Sequence, residues 1–266
     1  MVDGCAYFFS DAHLGQRDAS GEARKRHYLQ QFLAHVRTRP GPVYVVGDLF
    51  DFWFEYRHAV PRGHFEVLSA LIETRRAGAA ITYVGGNHDF WLGDFLAREV
   101  GMEVALEPIA REIQGRKLYV AHGDGMMPGD RGYHALRAIL RNPFNIGLYR
   151  WLHPDLGIPL AKAVSSLSYR NHHHHPPPTG EAIYREVATP RLAAGHDAVI
   201  LGHFHLPYHH REPGREMVVL GDWMTHFTYA TLEGGVFRMW RWTEDGPQCL
   251  QGGPEGPPGG VSAPGR

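Results

Sequence analysis

Cysteine is scarce in this sequence of 266 residues, where only Cys5 and Cys249 occur. Two isolated thiols exclude a disulfide framework and a thiolate zinc site, and they favour a reducing compartment. No apolar run approaches the roughly 18 residues of a membrane-spanning helix. The residues before the apolar stretch 5–9 carry no basic run, so we expect no cleaved secretion signal. The sequence therefore predicts a cytoplasmic protein.

An excess of charge of either sign is also missing, because 27 Lys and Arg residues stand against 28 Asp and Glu residues. Without a basic footprint, nucleic acid is not an expected partner. The apolar content of 43% is typical of a folded soluble protein with a sizeable core. The unusual count is histidine, with 19 residues, because histidine is the side chain most often found in metal sites.

Short apolar runs with the length of buried strands alternate with segments of helical spacing. The predicted helices are Glu22–Arg37 and His64–Arg76. An alternating pattern over Thr228–Trp242 indicates antiparallel strands at the end of the fold. We predict an α/β fold in which a sandwich of sheets is flanked by helices. The strands that lead to this prediction are Ala6–Phe9, Val43–Val46, Ile81–Val84, Leu118–Ala121, Val199–Leu201 and Met217–Leu220.

Residues 131–170 interrupt the strand pattern with a helical stretch rich in apolar and aromatic side chains. These side chains could pack on the sheet like those of any amphipathic helix, or they could belong to an inserted lid. We predict an inserted helical lid at 131–170, between the two parts of the main domain at 1–130 and 171–251.

Two other segments are predicted to lie outside the packed core. Residues 252–266 are rich in glycine and proline and hold too little apolar surface to order, so we predict a disordered tail. His172–His175 are four consecutive histidines, which cannot all face one site. We interpret them as a polar loop.

Most of the predicted strands are followed by residues that bind metal ions. Because α/β folds place their sites at the carboxyl ends of the strands, we expect these residues to converge. Oxygen and imidazole ligands without thiolate suit Mn²⁺, Fe²⁺ or Zn²⁺. Seven candidate ligands are more than one ion needs. This number indicates two ions, about 3.5–4 Å apart, that share one carboxylate ligand. The candidate ligands are Asp11, His13, Asp48, Asn87, His122, His203 and His205.

These residues stand in five short motifs, each of which is common by itself. Taken in order, the motifs resemble the complete signature of the calcineurin-like metallophosphoesterases. They read Asp-x-His at 11–13, Gly-Asp-x-x-Asp at 47–51, Gly-Asn-His-Asp at 86–89, His-Gly-Asp at 122–124 and Gly-His-x-His at 202–205.

The resemblance implies two divalent metal ions bridged by Asp48, with Mn²⁺ favoured over Fe²⁺ and Zn²⁺. It implies that His88 contacts the scissile phosphate or the leaving group and that Asp51 orients His88. One ion would be held by Asp11, His13, Asp48 and His205. The other would be held by Asp48, Asn87, His122 and His203.

Longer stretches resemble the UDP-2,3-diacylglucosamine pyrophosphatases of lipid A biosynthesis. They read Gly-Asp-Leu-Phe-Asp-Phe-Trp at 47–53 and Asn-His-Asp-Phe-Trp-Leu-Gly at 87–93, and Asp130 precedes Gly132 and Tyr133 at the start of the helical stretch. This resemblance implies hydrolysis of UDP-2,3-diacylglucosamine to UMP and 2,3-diacylglucosamine 1-phosphate, with the acyl chains held by the lid. The implied substrate contacts are Asn87, His88, Asp130, Tyr133 and His203.

A lipid-linked sugar nucleotide as substrate would bring the protein into peripheral contact with the cytoplasmic face of the inner membrane. Two alternatives stay open. The first is a metallophosphoesterase acting on another nucleotide, sugar nucleotide or phosphodiester. The second is a non-catalytic metal-binding module, which would have no need for His88 and Asp51. The sequence predicts no oligomeric state.

Overall fold

Twelve strands in two sheets form the centre of the computed structural model, which describes residues 4–16, 19–129, 131–161 and 177–251. The α/β class and the sandwich of sheets are confirmed, and each of the six predicted strands is present within two residues of its predicted bounds. The strands are β1 (Ala6–Phe9), β2 (Val43–Val46), β3 (Ile81–Val84), β4 (Glu103–Ala105), β5 (Ile109–Ile113), β6 (Arg116–Ala121), β7 (Ala198–Leu201), β8 (Pro207–Glu212), β9 (Arg215–Leu220), β10 (Thr228–Glu233), β11 (Val236–Thr243) and β12 (Gly246–Gln251).

The first sheet has the order β12-β11-β10-β1-β2-β3-β4, and the second has the order β5-β6-β7-β9-β8. Strands β1 to β4 pair in parallel, as do β6, β7 and β9. Strands β10, β11 and β12 pair antiparallel, as the alternation over Thr228–Trp242 predicted. The parallel strands therefore present their carboxyl ends at one edge of each sheet.

Six helices accompany the two sheets in the described parts of the chain. The helices are α1 (Ala19–Thr38), α2 (Phe65–Arg76), α3 (Arg131–Leu140), α4 (Pro143–Tyr149), α5 (154–161) and α6, which joins Gly180–Ile183, a π-helical turn at Tyr184–Ala188 and Thr189–Ala193. A separate π-helical turn spans Leu96–Val100. None of the helices in the described parts of the chain combines the length and apolar character needed to cross a bilayer.

Three apolar clusters hold these layers together. Side chains such as Phe8 and Val46 of the first sheet and Val120 and Ile200 of the second share the central cluster between the sheets. A larger cluster joins the outer face of the first sheet to α1 and α2, and a third joins the second sheet to α6. Because every strand residue of β1, β2, β3 and β7 is buried, the strand ends that carry polar side chains are rigidly placed.

An ion-paired group lies at the opposite end of the second sheet. Glu216 at the start of β9 accepts from Arg116 at 2.6 Å and from His209 at 2.8 Å. Burial raises the pKa of Glu216, but hydrogen bonds from His209 and Arg116 outweigh it and lower the pKa to about 2. This group stabilises the sheet far from the polar edge.

Helices α3 to α5 and the turns between them expose most of the large apolar side chains that lie on the surface of the described chain. Eight of the eleven exposed large apolar side chains among the described residues lie between 131 and 161, and Phe144 and Trp151 are 77% and 90% exposed. This exposure argues against the interpretation that these side chains pack on the sheet. The boundaries of the lid stay a prediction. Asp130, 162–170, His172–His175 and the tail 252–266 lie outside the described residues.

Candidate metal centre

All seven candidate ligands meet at the edge formed by the carboxyl ends of five strands. Strands β1, β2 and β3 supply them from the first sheet, and β6 and β7 supply them from the second. The ligand side chains form two groups of atoms that share one carboxylate oxygen, Oδ2 of Asp48.

The first group contains Asp11, His13 and His205 on one side of Asp48. His13 Nε2 lies 3.3 Å from His205 Nε2, 3.8 Å from Asp11 Oδ1 and 3.7 Å from Asp48 Oδ2. His205 Nε2 lies 3.2 Å from Asp11 Oδ1. One ligand atom from each of these three residues lies within 4.8 Å of the other two.

The second group contains Asn87, His122 and His203 on the other side of Asp48. His122 Nε2 lies 3.2 Å from Asp48 Oδ2 and 3.1 Å from Asn87 Oδ1, and His203 Nδ1 lies 3.0 Å from the same amide oxygen. Ligand atoms about 2.1 Å from an ion lie about 3.0–3.4 Å apart in its coordination shell. The distances in the second group match this spacing, and so do those from His205 to His13 and Asp11, whereas His13 lies slightly farther from Asp11 and Asp48.

Unmatched donors and acceptors also fit a cation. Asp11 Oδ1 is buried, and within the described chain it completes no hydrogen bond. His122 Nδ1 lies 2.9 Å from the carbonyl oxygen of Val46, which can only accept, so Nδ1 donates a proton to it and Nε2 is the ring nitrogen that faces the centre. A buried carboxylate oxygen without a hydrogen bond lies beside an inward-facing imidazole nitrogen, so the residues present fit a metal site.

The electrostatics of the centre favour charged carboxylates. Burial raises the pKa of Asp48, but the charges of His122 and His88 outweigh it and bring the pKa below its usual range. Burial lowers the pKa of His122, but Asp48 more than offsets this and holds it well above its usual value. Burial and the charge of His122 lower the pKa of His203 to about 4. In the absence of metal, a proton on His122 neutralises part of the negative charge of the carboxylates. A bound cation would take over this role.

The backbone of the centre is strained. Left-handed φ angles are unfavourable for residues other than glycine and persist where surrounding contacts enforce them. Five of the seven non-glycine residues with positive φ in the described chain are candidate ligands. They are Asp11 (56°), His13 (44°), Asp48 (53°), His203 (67°) and His205 (51°).

Gly86 is required by close approach to the bridging carboxylate. A Cβ atom at this position would lie 2.1 Å from Asp48 Oδ1 and 2.6 Å from the Asp48 nitrogen. The same carboxylate oxygen accepts from the His88 amide at 2.8 Å. The turn after β3 therefore fixes Asp48 through main-chain contacts that leave no room for a side chain.

Asp51 contacts His88 through its main chain. His88 Nδ1 lies 3.0 Å from the main-chain oxygen of Asp51, so the carbonyl accepts the ring proton. The Asp51 carboxylate approaches His13, with Oδ1 4.0 Å from Nδ1. The orienting atom in this hydrogen bond belongs to the backbone, and Nε2 of His88 is the nitrogen that can exchange protons with a ligand.

Further polar residues support the centre from behind. Asp89 accepts from the Gly86 amide at 2.9 Å and from the hydroxyl of Tyr83, and burial followed by the charge of Asp48 raises its pKa to about 6. Asp124 accepts from the hydroxyl of Tyr133 on α3. Tyr133 is thus tied to the turn that follows His122.

Sequence reasoning missed three supporting residues. Lys25 and Glu22 of α1 contact the loop after β1, and nothing in the helical pattern marks them. Asp222 follows β9 and accepts from His226 Nδ1 at 2.6 Å, while the amide of Trp223 donates to the Asp11 carbonyl. The Gly-Asp pair at 221–222 repeats the pattern at 47–48 after a predicted strand, so this signal was present in the sequence.

Known proteins resemble this chain over most of its length. A UDP-2,3-diacylglucosamine hydrolase of Porphyromonas gingivalis is 33% identical over 245 residues, which cover 86% of this chain and 94% of that protein. A protein of the same name from Aeromonas hydrophila is 30% identical and covers 87% of this chain and 96% of its own length. Among solved structures, Yfce, a phosphoesterase from E. coli, matches with a TM-score of 0.47 and 15% identity over 93% of this chain and 97% of its own.

The family model of the calcineurin-like phosphoesterases matches residues 6–207. This region is more than half of the chain, and all seven candidate ligands lie within it. The chain therefore belongs to the calcineurin-like phosphoesterases and is a metal-dependent hydrolase of that family.

Proposed function

We propose that this chain hydrolyses the pyrophosphate bond of UDP-2,3-diacylglucosamine to give UMP and 2,3-diacylglucosamine 1-phosphate. The observation that carries the proposal is the joint presence of two donor groups sharing Asp48 and a large exposed apolar surface on α3 to α5. A phosphate site beside an apolar surface suits a substrate that has both parts. The similarity to the hydrolase of Porphyromonas gingivalis supports the same substrate.

Two divalent ions are proposed at the centre, with Mn²⁺ favoured. One would be held by Asp11, His13, Asp48 and His205, and the other by Asp48, Asn87, His122 and His203. Bound there, the ions would neutralise charge on the α-phosphate and lower the pKa of water.

The proposed reaction adds water to the α-phosphorus and breaks the bond from that phosphorus to the bridging oxygen. His88 would contact the departing phosphate through Nε2, with its ring held at Nδ1 by the Asp51 carbonyl. Asn87 and His203 would contact the phosphate from the second donor group. Positioning and charge neutralisation carry most of such a phosphoryl transfer.

The helices at 131–161 are proposed as the lid that receives the acyl chains. They rest on aromatic residues next to the metal motifs: Trp91 donates to the Leu140 carbonyl at 2.8 Å, and the Tyr149 ring lies 4.6 Å from Phe54 and 4.9 Å from Trp91. Each methylene hidden from water contributes about 0.8 kcal/mol. An apolar surface tied to the catalytic turns would therefore bind the lipid close to its phosphates.

Substrate contacts from Asp130 and Tyr133 at the start of the lid are part of the proposal. Tyr133 is half-buried and already fixed by Asp124, which would place its ring beside the phosphate. Peripheral contact with the cytoplasmic face of the inner membrane follows from the insolubility of the two-chain substrate.

The test is a comparison of substrates with the metal-loaded protein. UMP release from UDP-2,3-diacylglucosamine is measured against release from UDP-N-acetylglucosamine, which has the same pyrophosphate without the long chains. We expect kcat/KM to favour the diacylated substrate by about 100-fold or more, because several methylenes are hidden from water. A chelator should abolish release. Equal or better hydrolysis of the chain-free compound would favour a metallophosphoesterase acting on soluble nucleotides.

A further inference from the structure

A lysine side chain is buried directly behind the first donor group. Lys25 on α1 is 4% exposed, and its Nζ donates to the carbonyl oxygens of Ala12 at 3.1 Å and His13 at 2.8 Å. Burial of an ammonium group is costly unless it is paired and hydrogen-bonded. Two neighbouring carbonyls of the loop after β1 therefore converge on one cation.

Glu22 completes the arrangement one helical turn earlier. Its Oε2 lies 3.0 Å from Lys25 Nζ, and its Oε1 accepts from the Gly15 amide at 2.8 Å and from Arg26 Nε at 2.9 Å. The two side chains thus hold both the carbonyls and the amide of the loop that carries His13. Helix α1 is itself anchored, because Leu29 and Phe32 are fully buried.

This arrangement bears on the conformation of His13. Its φ of 44° is unfavourable for a residue with a Cβ atom. The hydrogen bond from Lys25 to the His13 carbonyl is formed in that conformation and therefore stabilises it. Without the ammonium, the loop can relax and His13 Nε2 can move away from Asp11 and His205.

We infer that Lys25 and Glu22 are a positioning pair that sets the metal affinity of the donor group containing His13, and not that of the group around His122. The inference rests on the proposed function, since it assumes that both groups bind ions. The second group has a support of its own, because the Val46 carbonyl holds His122 in place.

Charge and geometry predict opposite results when Lys25 is removed. If the ammonium acted only through its charge, its loss would remove a repulsion and tighten the binding of a cation. If it positions His13, its loss weakens binding at one group. The sign of the change in affinity therefore separates the two roles.

The experiment is a Mn²⁺ titration of metal-free protein by calorimetry, with electron paramagnetic resonance to detect coupled ions. For Lys25→Met we expect one equivalent to bind about 10–100-fold more weakly, the usual cost of losing support behind a ligand, while the other equivalent keeps its affinity. When one equivalent of Mn²⁺ is added per chain of the Lys25→Met protein, the electron paramagnetic resonance signal of two coupled ions should be absent. Lys25→Arg should recover part of the affinity.

Glu216→Gln is the matched control, because it disrupts a partly buried ion pair at the far end of the second sheet. It should lower the melting temperature without changing either Mn²⁺ affinity. Glu22→Gln keeps the side-chain shape and provides a second test if Lys25→Met does not fold.

Unchanged or tighter Mn²⁺ binding in the Lys25→Met and Glu22→Gln proteins would overturn the inference. An equal loss of affinity for both Mn²⁺ equivalents would also overturn the inference, because a general loosening of the folded structure would have that effect. If the unaltered chain binds no Mn²⁺, Fe²⁺ or Zn²⁺, the proposed function fails as well. If the unaltered chain binds two ions and the variants bind them with the same affinities, only the positioning role of Lys25 and Glu22 fails.

Discussion

The exposed side chains of the proposed lid allow a direct test of lipid binding. Phe144 and Trp151 are 77% and 90% exposed, so they bury little surface in the folded chain. Substituting Phe144→Ser or Trp151→Ser should therefore change the free energy of unfolding by no more than about 0.5 kcal/mol. An acyl chain covering either ring would hide it from water, which contributes about 1–3 kcal/mol per side chain.

That contribution corresponds to a loss of about 5–150-fold in kcat/KM for UDP-2,3-diacylglucosamine, since 1.4 kcal/mol is a factor of ten. The assay measures UMP release and, on the same protein samples, hydrolysis of bis(p-nitrophenyl) phosphate, which has no chains. Activity on the small phosphodiester should hardly change, because no contact to the metal ligands is removed.

Phe32→Ala provides the comparison with a core side chain. Phe32 is fully buried between α1 and the first sheet, so its truncation should cost about 3–5 kcal/mol and reduce both activities together. If the lid variants behave like Phe32→Ala, or if they leave the lipid substrate unaffected, the side chains do not hold acyl chains and the lid proposal is refuted.

Three further predictions concern the centre and the second sheet. Asp48→Ala should lose bound metal and nearly all activity, because it removes the anion shared by both groups; elemental analysis showing two retained equivalents would contradict this. His88→Ala should keep its metal and lower kcat by about 10²–10⁴-fold, and metal loss would mean that His88 is a ligand. Glu216 has a folded-state pKa of about 2 against an ordinary 4.5, so its contribution is present above pH 4.5 and is lost as the pH falls towards 2. Denaturation in urea should show that Glu216→Gln lowers the free energy of unfolding by about 2 kcal/mol at pH 7, after allowance for solvent screening, and hardly changes it near pH 2. An equal loss at both pH values would exclude the ion pair as the cause.

The sequence by itself determined the layers and the ligand set. Strands such as Val43–Val46 are short, rich in valine and lack polar alternation, a pattern typical of a strand buried on both faces. A polar motif directly after such a strand has to lie at the edge of the sheet. For that reason the candidate ligands from Asp11 to His205 could be named before their positions were known.

Tertiary structure decided the contacts between distant residues. Sequence gives residue types but not which oxygen of Asp48 faces both groups, nor that the Asp51 carbonyl holds His88 while its carboxylate faces His13. Those choices depend on backbone angles such as the positive φ of Asp48, which packing enforces against local preference.

The same reason explains the residues that sequence reasoning missed. Lys25 and Glu22 lie within an ordinary charged helix, and their role arises only because α1 packs with that turn against the loop after β1. The exposure of Phe144 and Trp151 is likewise a tertiary property, since the same apolar pattern would also suit a buried helix. Local sequence fixed what each segment can form, and the packing of segments far apart in the chain decided which atoms meet.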